Sequence, residues 1–296
     1  MLPYHPTAII ELAMPVLHSR GVALFVKRED QNHPHVSGNK WWKLKNNLQA
    51  ALRQNVGTVL SFGGAHSNHI YALAAATAAL GLKSIGIIRG ERPPKLSPTL
   101  HFAEARGMTL HFLSREGYRQ RTSEELLDTL QKQYGDFFYV PEGGSNPLGV
   151  QGAAEWAAQL LAESEFDYVC LPVGSGGTLA GISQQLVSSE KQAIGYAVLK
   201  NADFLYRDVA ALGAAMDRIR INTDFHFGGY ARANQDLFRF IEAMDAQQLP
   251  LDPVYTAKAL YGVLAEIEQG VFPRGSRVLF LHTGGLQGRQ GFGLPY

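Results

Sequence analysis

Short apolar, β-branched runs alternate with helix-patterned segments along most of this chain. That alternation constrains the fold more than any other feature. Val22–Lys27, Thr58–Phe62, Ser84–Arg89, Met108–Leu113, Phe137–Val140, Tyr168–Val173 and Arg277–Leu281 read as strands. Lys40–Gln54, Ser67–Leu80, Ser97–Arg106, Ser123–Tyr134, Pro147–Ala162, a segment opening at Thr178, and Tyr255–Gln269 read as helices. Several of these helices are opened by serine and closed by glycine. Strands alternating with 10–15-residue helical patterns indicate βαβ units around parallel sheets, an α/β fold. The stretch after the Thr178 segment and before Tyr255 is less regular. There is no internal repeat and no low-complexity tract. A chain of 296 residues suits two lobes, and the glycine-rich turn at Glu142–Gly149 is a natural boundary between them.

Composition excludes several function classes. The chain is 46% hydrophobic and 18% charged, which favours a packed core over disorder. Its 27 basic and 26 acidic residues leave a net charge of +1, so a nucleic-acid partner is not expected. Cys170 is the single cysteine, which forbids an intramolecular disulfide and fits a reducing compartment. Met1–Pro15 lacks the basic start of a signal peptide, and the longest apolar run, Ala72–Leu82, is too short to span a bilayer. The expected setting is cytoplasmic, without a membrane partner.

In parallel sheets, functional groups collect at the carboxyl ends of strands, where the next helix begins. Four such loops are unusual here. In Ser37-Gly38-Asn39-Lys40-Trp41-Trp42-Lys43, the lysines Lys40, Lys43 and Lys45 crowd a helix N-terminus. That end is already partly positive, so cations are misplaced there. A Gly-Asn turn with solvated lysines is one reading. The other is a lysine that must be neutral to act, its pKa lowered by the helix end and a cationic neighbour, so that it can form an imine with an aldehyde cofactor.

The second loop, Gly174-Ser175-Gly176-Gly177-Thr178, joins an apolar strand to a helix. Its glycines let backbone N–H groups approach an anion. Leu179 stands where the dinucleotide pattern needs a third glycine, and no Walker lysine follows, so a small phosphate monoester fits better than NAD or ATP. A tight turn that binds nothing is the alternative. In the third, Gly63 to His69, Ser67 suits an N-cap, and Ser67, Asn68 and His69 cluster polar groups that suit a carboxylate or a phenolate. His66 and His69 lack a third ligand at convincing spacing, so no metal is expected. The fourth, His282-Thr283-Gly284-Gly285, is either a plain turn or a means of presenting the Thr283 hydroxyl. Tyr255 opens a helix and Tyr230 follows two glycines; each is a core aromatic or a site residue.

As a set, these motifs resemble the fold-type II pyridoxal phosphate (PLP) enzymes, specifically the 1-aminocyclopropane-1-carboxylate deaminase and D-cysteine desulfhydrase family. The motifs that carry the resemblance are Lys27-Arg28-Glu29-Asp30, Ser37-Gly38-Asn39-Lys40, His66-Ser67-Asn68-His69, Gly143 to Asn146, Gly174 to Thr178, and Asp252-Pro253-Val254-Tyr255. The resemblance implies two lobes, each with a mainly parallel sheet flanked by helices: residues 1–41 with 151–296 as the large PLP-binding domain, and 42–150 as the small one. It implies PLP as cofactor, a small amino-acid substrate and a homodimer. Lys40 would form the Schiff base. Lys43 and Gly174, Ser175, Gly176, Gly177 and Thr178 would hold the phosphate. Asn68 would meet the phenolic oxygen. Ser67, with Asn68 and His69, would receive the substrate, and Tyr230 and Tyr255 would line its side. Ser67 and the two tyrosines join Lys40 as candidate catalytic residues, and either Lys40 or a tyrosine would take the Cα proton.

Within the resemblance, deaminases carry Glu after the second tyrosine and Leu before the terminal Gly-Gly, whereas desulfhydrases carry Thr at both places. This chain has Thr256 and Thr283. A carboxylate at the pyridine nitrogen would keep it protonated and strengthen the electron sink; a hydroxyl would not. Expelling a thiolate needs less of a sink than opening a cyclopropane. The resemblance therefore implies elimination from D-cysteine to sulfide, pyruvate and ammonia, with cyclopropane deamination or non-catalytic amino-acid sensing as alternatives. Ser37, His66 and the Tyr230-Ala231-Arg232-Ala233 run depart from the family's pattern. Arg232 either pairs with an acidic substrate or is solvated.

Overall fold

The computed structural model describes residues 2–295. Along the chain run β1 (Ile9–Leu12), α1 (Pro15–Arg20), β2 (Ala23–Lys27), α2 (Asn39–Arg53), β3 (Thr58–Gly63), α3 (Asn68–Ala79) and β4 (Lys83–Arg89). Then come α4 (Pro98–Ala105), β5 (Met108–Leu113), α5 (Arg115–Arg119), α6 (Glu124–Tyr134), β6 (Phe138–Val140), α7 (Pro147–Glu163) and β7 (Tyr168–Val173). The rest is α8 (Gly177–Gln184), β8 (Gln192–Ala197), α9 (Phe204–Ala211), β9 (Ile219–Asn222), α10 (Gln235–Asp245), α11 (Thr256–Gln269) and β10 (Arg277–Leu281).

The strands form two sheets. One has six strands in the order β1-β2-β10-β7-β8-β9, and the other four in the order β5-β4-β3-β6. All neighbours are parallel except β1 and β2. The expected α/β class is therefore what the chain forms. The less regular stretch is ordered as β8, α9, β9 and α10, which complete the larger sheet and its cover. The limits 41/42 and 150/151 fall inside α2 and α7 respectively.

Three helix starts are brought together by close packing of α2, α7 and α8. A Cβ on Gly152 would overlap the carbonyl oxygen of Trp42, and one on Gly181 would overlap that of Val150. Glycine at these two crossings lets the helix backbones touch. The Trp42 and Trp156 rings stack at 6.2 Å and 7° across the α2–α7 contact. Trp156 is fully buried, and burial of a large apolar side chain contributes ~1.5–3 kcal/mol.

The strand ends determine where the site lies. The loops after β3, β7 and β10 all leave carboxyl ends of parallel strands, as the alternating pattern requires.

Candidate active site

The lysine loop is held from behind by a buried polar network. Glu29, fully buried, accepts hydrogen bonds from Trp42 Nε1 at 2.7 Å, Thr7 Oγ1 at 2.8 Å, Asn32 Nδ2 at 3.0 Å and Tyr4 Oη at 3.2 Å. A buried carboxylate needs that many donors. The Gly38 N–H donates to the Glu29 carbonyl and to Asn32 Oδ1, each at 2.9 Å. Gly38 has φ +68° and ψ −146°, a conformation essentially restricted to glycine, and lies against the Thr283 carbonyl. The loops after β2 and β10 are thereby seated on each other, and α2 starts with Lys40 in its first turn.

Lys40 Nζ donates to Asn39 Oδ1 at 2.8 Å, and Asn39 Nδ2 donates to Thr178 Oγ1 at 2.9 Å. The bond from Asn39 ties the start of α2 to the start of α8. Burial lowers the Lys40 amine to about 8, with Asp252 opposing the shift. The lowering matches the expectation, but its cause is desolvation rather than the helix end or a cationic neighbour.

Lys43 is buried, not solvated. Its Nζ donates to Ser145 Oγ at 2.7 Å, and Ser145 Oγ lies 2.7 Å from Ser175 Oγ. Burial, and then the charge of Lys40, push the Lys43 amine well below its ordinary range. Gly177 opens onto this group: a Cβ there would lie 2.7 Å from Ser145 Oγ and 2.9 Å from Lys43 Nζ. Lysine amine, two serine hydroxyls and the N-terminus of α8 thus surround one small space. A buried amine bonded to a hydroxyl rather than a carboxylate is electrostatically suited to a phosphate dianion. Ser145 belongs to the Gly143–Asn146 turn, but its part in this cradle is not legible in the sequence.

The β3–α3 loop supplies the next wall. Ser67 caps α3, accepting from the Ile70 N–H at 3.3 Å. Asn68 Oδ1 accepts from Gln287 Nε2 at 2.6 Å, while its Nδ2 packs against Gly285, where a Cβ would overlap it. His69 Nε2 lies 2.8 Å from Ser61 Oγ, but its buried Nδ1 has no protein partner. Burial, and the charges of Lys40 and Lys43, push His69 well below its usual range, so its ring is neutral. An orphaned imidazole nitrogen beside two lysines marks a polar space that a bound group would complete.

Asp252 and the tyrosines close the site. Asp252, fully buried, accepts from the N–H groups of Val254 at 2.9 Å, Tyr255 at 3.0 Å and Thr256 at 2.8 Å, and from Thr256 Oγ1 at 2.8 Å. It braces the turn that leads into α11, whose N-cap position is Tyr255. The Thr256 hydroxyl also accepts from the Asp252 N–H at 2.9 Å, so Asp252 engages it both as donor and as acceptor. Thr283 is buried beside Gly38. The Tyr230 and Tyr255 rings meet edge to face at 6.1 Å, and Gly174 packs under the Tyr255 ring. The Tyr230 side chain is partly exposed, yet desolvation raises its hydroxyl to about 12 despite the bond with Tyr255, and burial pushes Tyr255 well above its ordinary value.

These features are what a pyridoxal phosphate site requires: a lysine of lowered pKa, a phosphate cradle at a helix start, and polar groups between them. The pyridoxal-phosphate dependent enzyme family matches residues 2–284. The chain belongs to that family. It is 32% identical over 315 residues to the bifunctional D-cysteine desulfhydrase/1-aminocyclopropane-1-carboxylate deaminase, mitochondrial, of Arabidopsis thaliana, covering 97% of this chain and 78% of that one. It is 34% identical over 290 residues to a putative 1-aminocyclopropane-1-carboxylate deaminase of Thermotoga maritima, covering 90% of each. A D-cysteine desulfhydrase of Klebsiella pneumoniae is 29% identical over 288 residues, covering 90% and 87% respectively. The fold superposes on the crystal structure of an ACC deaminase homologue with a TM-score of 0.85 and 27% identity, covering 99% of this chain and 93% of that one. The protein is thus a fold-type II PLP enzyme, as the motifs imply. Among the described residues, no helix is long and apolar enough to cross a membrane.

Proposed function

We propose that the protein is a lyase that removes the β-substituent of a small amino acid, with D-cysteine as substrate and sulfide, pyruvate and ammonia as products. The observation that carries this reading is Thr256: a buried hydroxyl stands where the deaminases of the resemblance carry a carboxylate. PLP, when bound, supplies the electron sink for charge at the substrate Cα. Lys40 would attach it, and Lys43, Ser145, Ser175 and the Gly174–Thr178 turn would hold its phosphate. Asn68 would offer its amide, and Thr256 and Thr283 would lie at the ring.

The chain's own groups divide the proton work. An amine near 8 is partly neutral at physiological pH, so Lys40 can accept the Cα proton. The Tyr230 and Tyr255 hydroxyls are both raised above their ordinary value, which favours them as proton donors toward the departing group over bases. Ser67, at the start of α3, would receive the substrate carboxylate, and the neutral His69 would lend an N–H.

A second reading is cyclopropane deamination. It is favoured by Asp252, whose buried carboxylate stands one hydrogen bond behind Thr256 and could strengthen the sink through it. Incubating the PLP-loaded protein with D-cysteine, L-cysteine and 1-aminocyclopropane-1-carboxylate separates the two. Sulfide and pyruvate from D-cysteine support elimination; 2-oxobutyrate from the cyclopropane supports the second reading; PLP binding without product points to a sensor. The proposal extends to a cytoplasmic homodimer, with residues 1–41 and 151–296 as the larger lobe and 42–150 as the smaller.

A further inference from the structure

Another buried lysine lies outside the groups assigned so far. Lys258 stands on α11, three residues after Tyr255, and is fully buried. Its Nζ donates to the carbonyl oxygens of His226 at 2.9 Å and Gly229 at 2.7 Å. Those two carbonyls are the acceptors of consecutive turns: the Gly229 N–H donates to His226 O at 3.0 Å, and the Arg232 N–H to Gly229 O at 3.1 Å. Tyr230 sits inside the second turn.

This loop is costly to hold. Phe227, Gly228, Gly229 and Ala231 have φ of 50°, 90°, 109° and 52°. Left-handed conformations at a phenylalanine and an alanine persist only where surrounding bonds impose them. The ammonium of Lys258 is the buried group that binds both turns at once, and charge-assisted bonds are stronger than neutral ones. Its other end is fixed to the helix that begins beside Tyr255. Lys258 therefore links the two elements whose tyrosines meet at 6.1 Å.

We propose that Lys258 is a positioning residue, whose ammonium holds the Tyr230 loop against Tyr255 and so sets the gap that the substrate side chain must fit. The inference rests on the reading that these tyrosines face the substrate. It concerns geometry, so it has a readout that needs no substrate.

The test uses holoenzyme with Lys258→Met and, should that variant fold poorly, Lys258→Gln, which keeps a neutral donor. Trypsin cleavage after the exposed Arg232 is followed by mass spectrometry, together with amide exchange of residues 226–232 and of α11. Loss of the ammonium is expected to speed cleavage and loop exchange at least tenfold, with α11 unchanged. For D-cysteine, kcat/KM is expected to fall about tenfold, and the fall to vanish in a Tyr230→Ala background. Unchanged cleavage and loop exchange would overturn the proposal. So would an equal kinetic loss with and without Tyr230. An inactive wild type would instead overturn the assigned substrate, and the cleavage and exchange results would still decide the role of Lys258.

Discussion

Gly38 is seated against the carbonyl oxygen of Thr283, with no room for a Cβ between them. This contact joins the loop that carries Lys40 to the loop that ends β10. Gly38→Ala would impose both a backbone overlap and an unfavourable left-handed φ, each a recognised source of strain. The expected loss is about 3 kcal/mol of unfolding free energy in urea, together with weaker PLP retention on dialysis. A variant as stable as the wild type would show that the loops are not packed in this way.

Lys40 gives a pH dependence with a defined sign. The neutral amine is the reacting form, and burial lowers its pKa to about 8. In the apoprotein, the rate of covalent PLP attachment should rise about tenfold per pH unit below that value and level off above it. An unperturbed lysine would keep climbing beyond pH 10. Stopped-flow absorbance across pH distinguishes the two profiles.

Ser145 lies between Lys43 and Ser175, at 2.7 Å from each. Ser145→Ala removes one neutral hydrogen-bonding group, about 0.5–1.5 kcal/mol. PLP affinity should fall roughly two- to tenfold, while kcat at saturating PLP stays unchanged. Lys43→Met should cost more, about tenfold or greater, because a charge-assisted bond is lost. Equilibrium titration of apoprotein with PLP ranks the two. A Ser145 variant that binds PLP normally would remove the residue from the cradle.

The difference between Lys40 and Ser145 shows what the sequence can and cannot reveal. Lys40 is legible because its signal is local: glycine, asparagine and lysine at a helix start are adjacent in the chain. Ser145 acquires its place only when α2, α7 and α8 pack, bringing positions 43, 145 and 175 together. Lys258 is hidden for the same reason, since its partners are the carbonyls of His226 and Gly229, far from it in the chain. Among the elements, β9 has only four residues, and β8 is interrupted by Gly195, which weakens a strand signal. The signal for α10 is present, with Asn234 as N-cap and Leu237, Ile241 and Met244 buried at helical spacing. The positive-φ loop before it obscures where that pattern begins.

Asp252 braces the turn into α11 through three backbone N–H groups and the Thr256 hydroxyl. Asp252→Ala would leave these donors unpaired in a buried setting and should cost about 1–3 kcal/mol of stability, read by urea unfolding. Asp252→Asn keeps an acceptor and should cost less. If the carboxylate acts on the cofactor through Thr256, the asparagine variant should lose kcat while remaining folded. Equal kcat in the two proteins would leave Asp252 with a structural role alone.

Three lysines, the half-buried Lys40 and the buried Lys43 and Lys258, lie at or behind the site, and only the first is assigned as the covalent anchor. Borohydride reduction of the holoenzyme, followed by peptide mass spectrometry, tests that assignment most directly. The expected result is a single pyridoxyl-phosphate adduct on Lys40, absent from Lys40→Ala. An adduct on Lys43 or Lys258, or undiminished labelling of the Lys40→Ala protein, would contradict it.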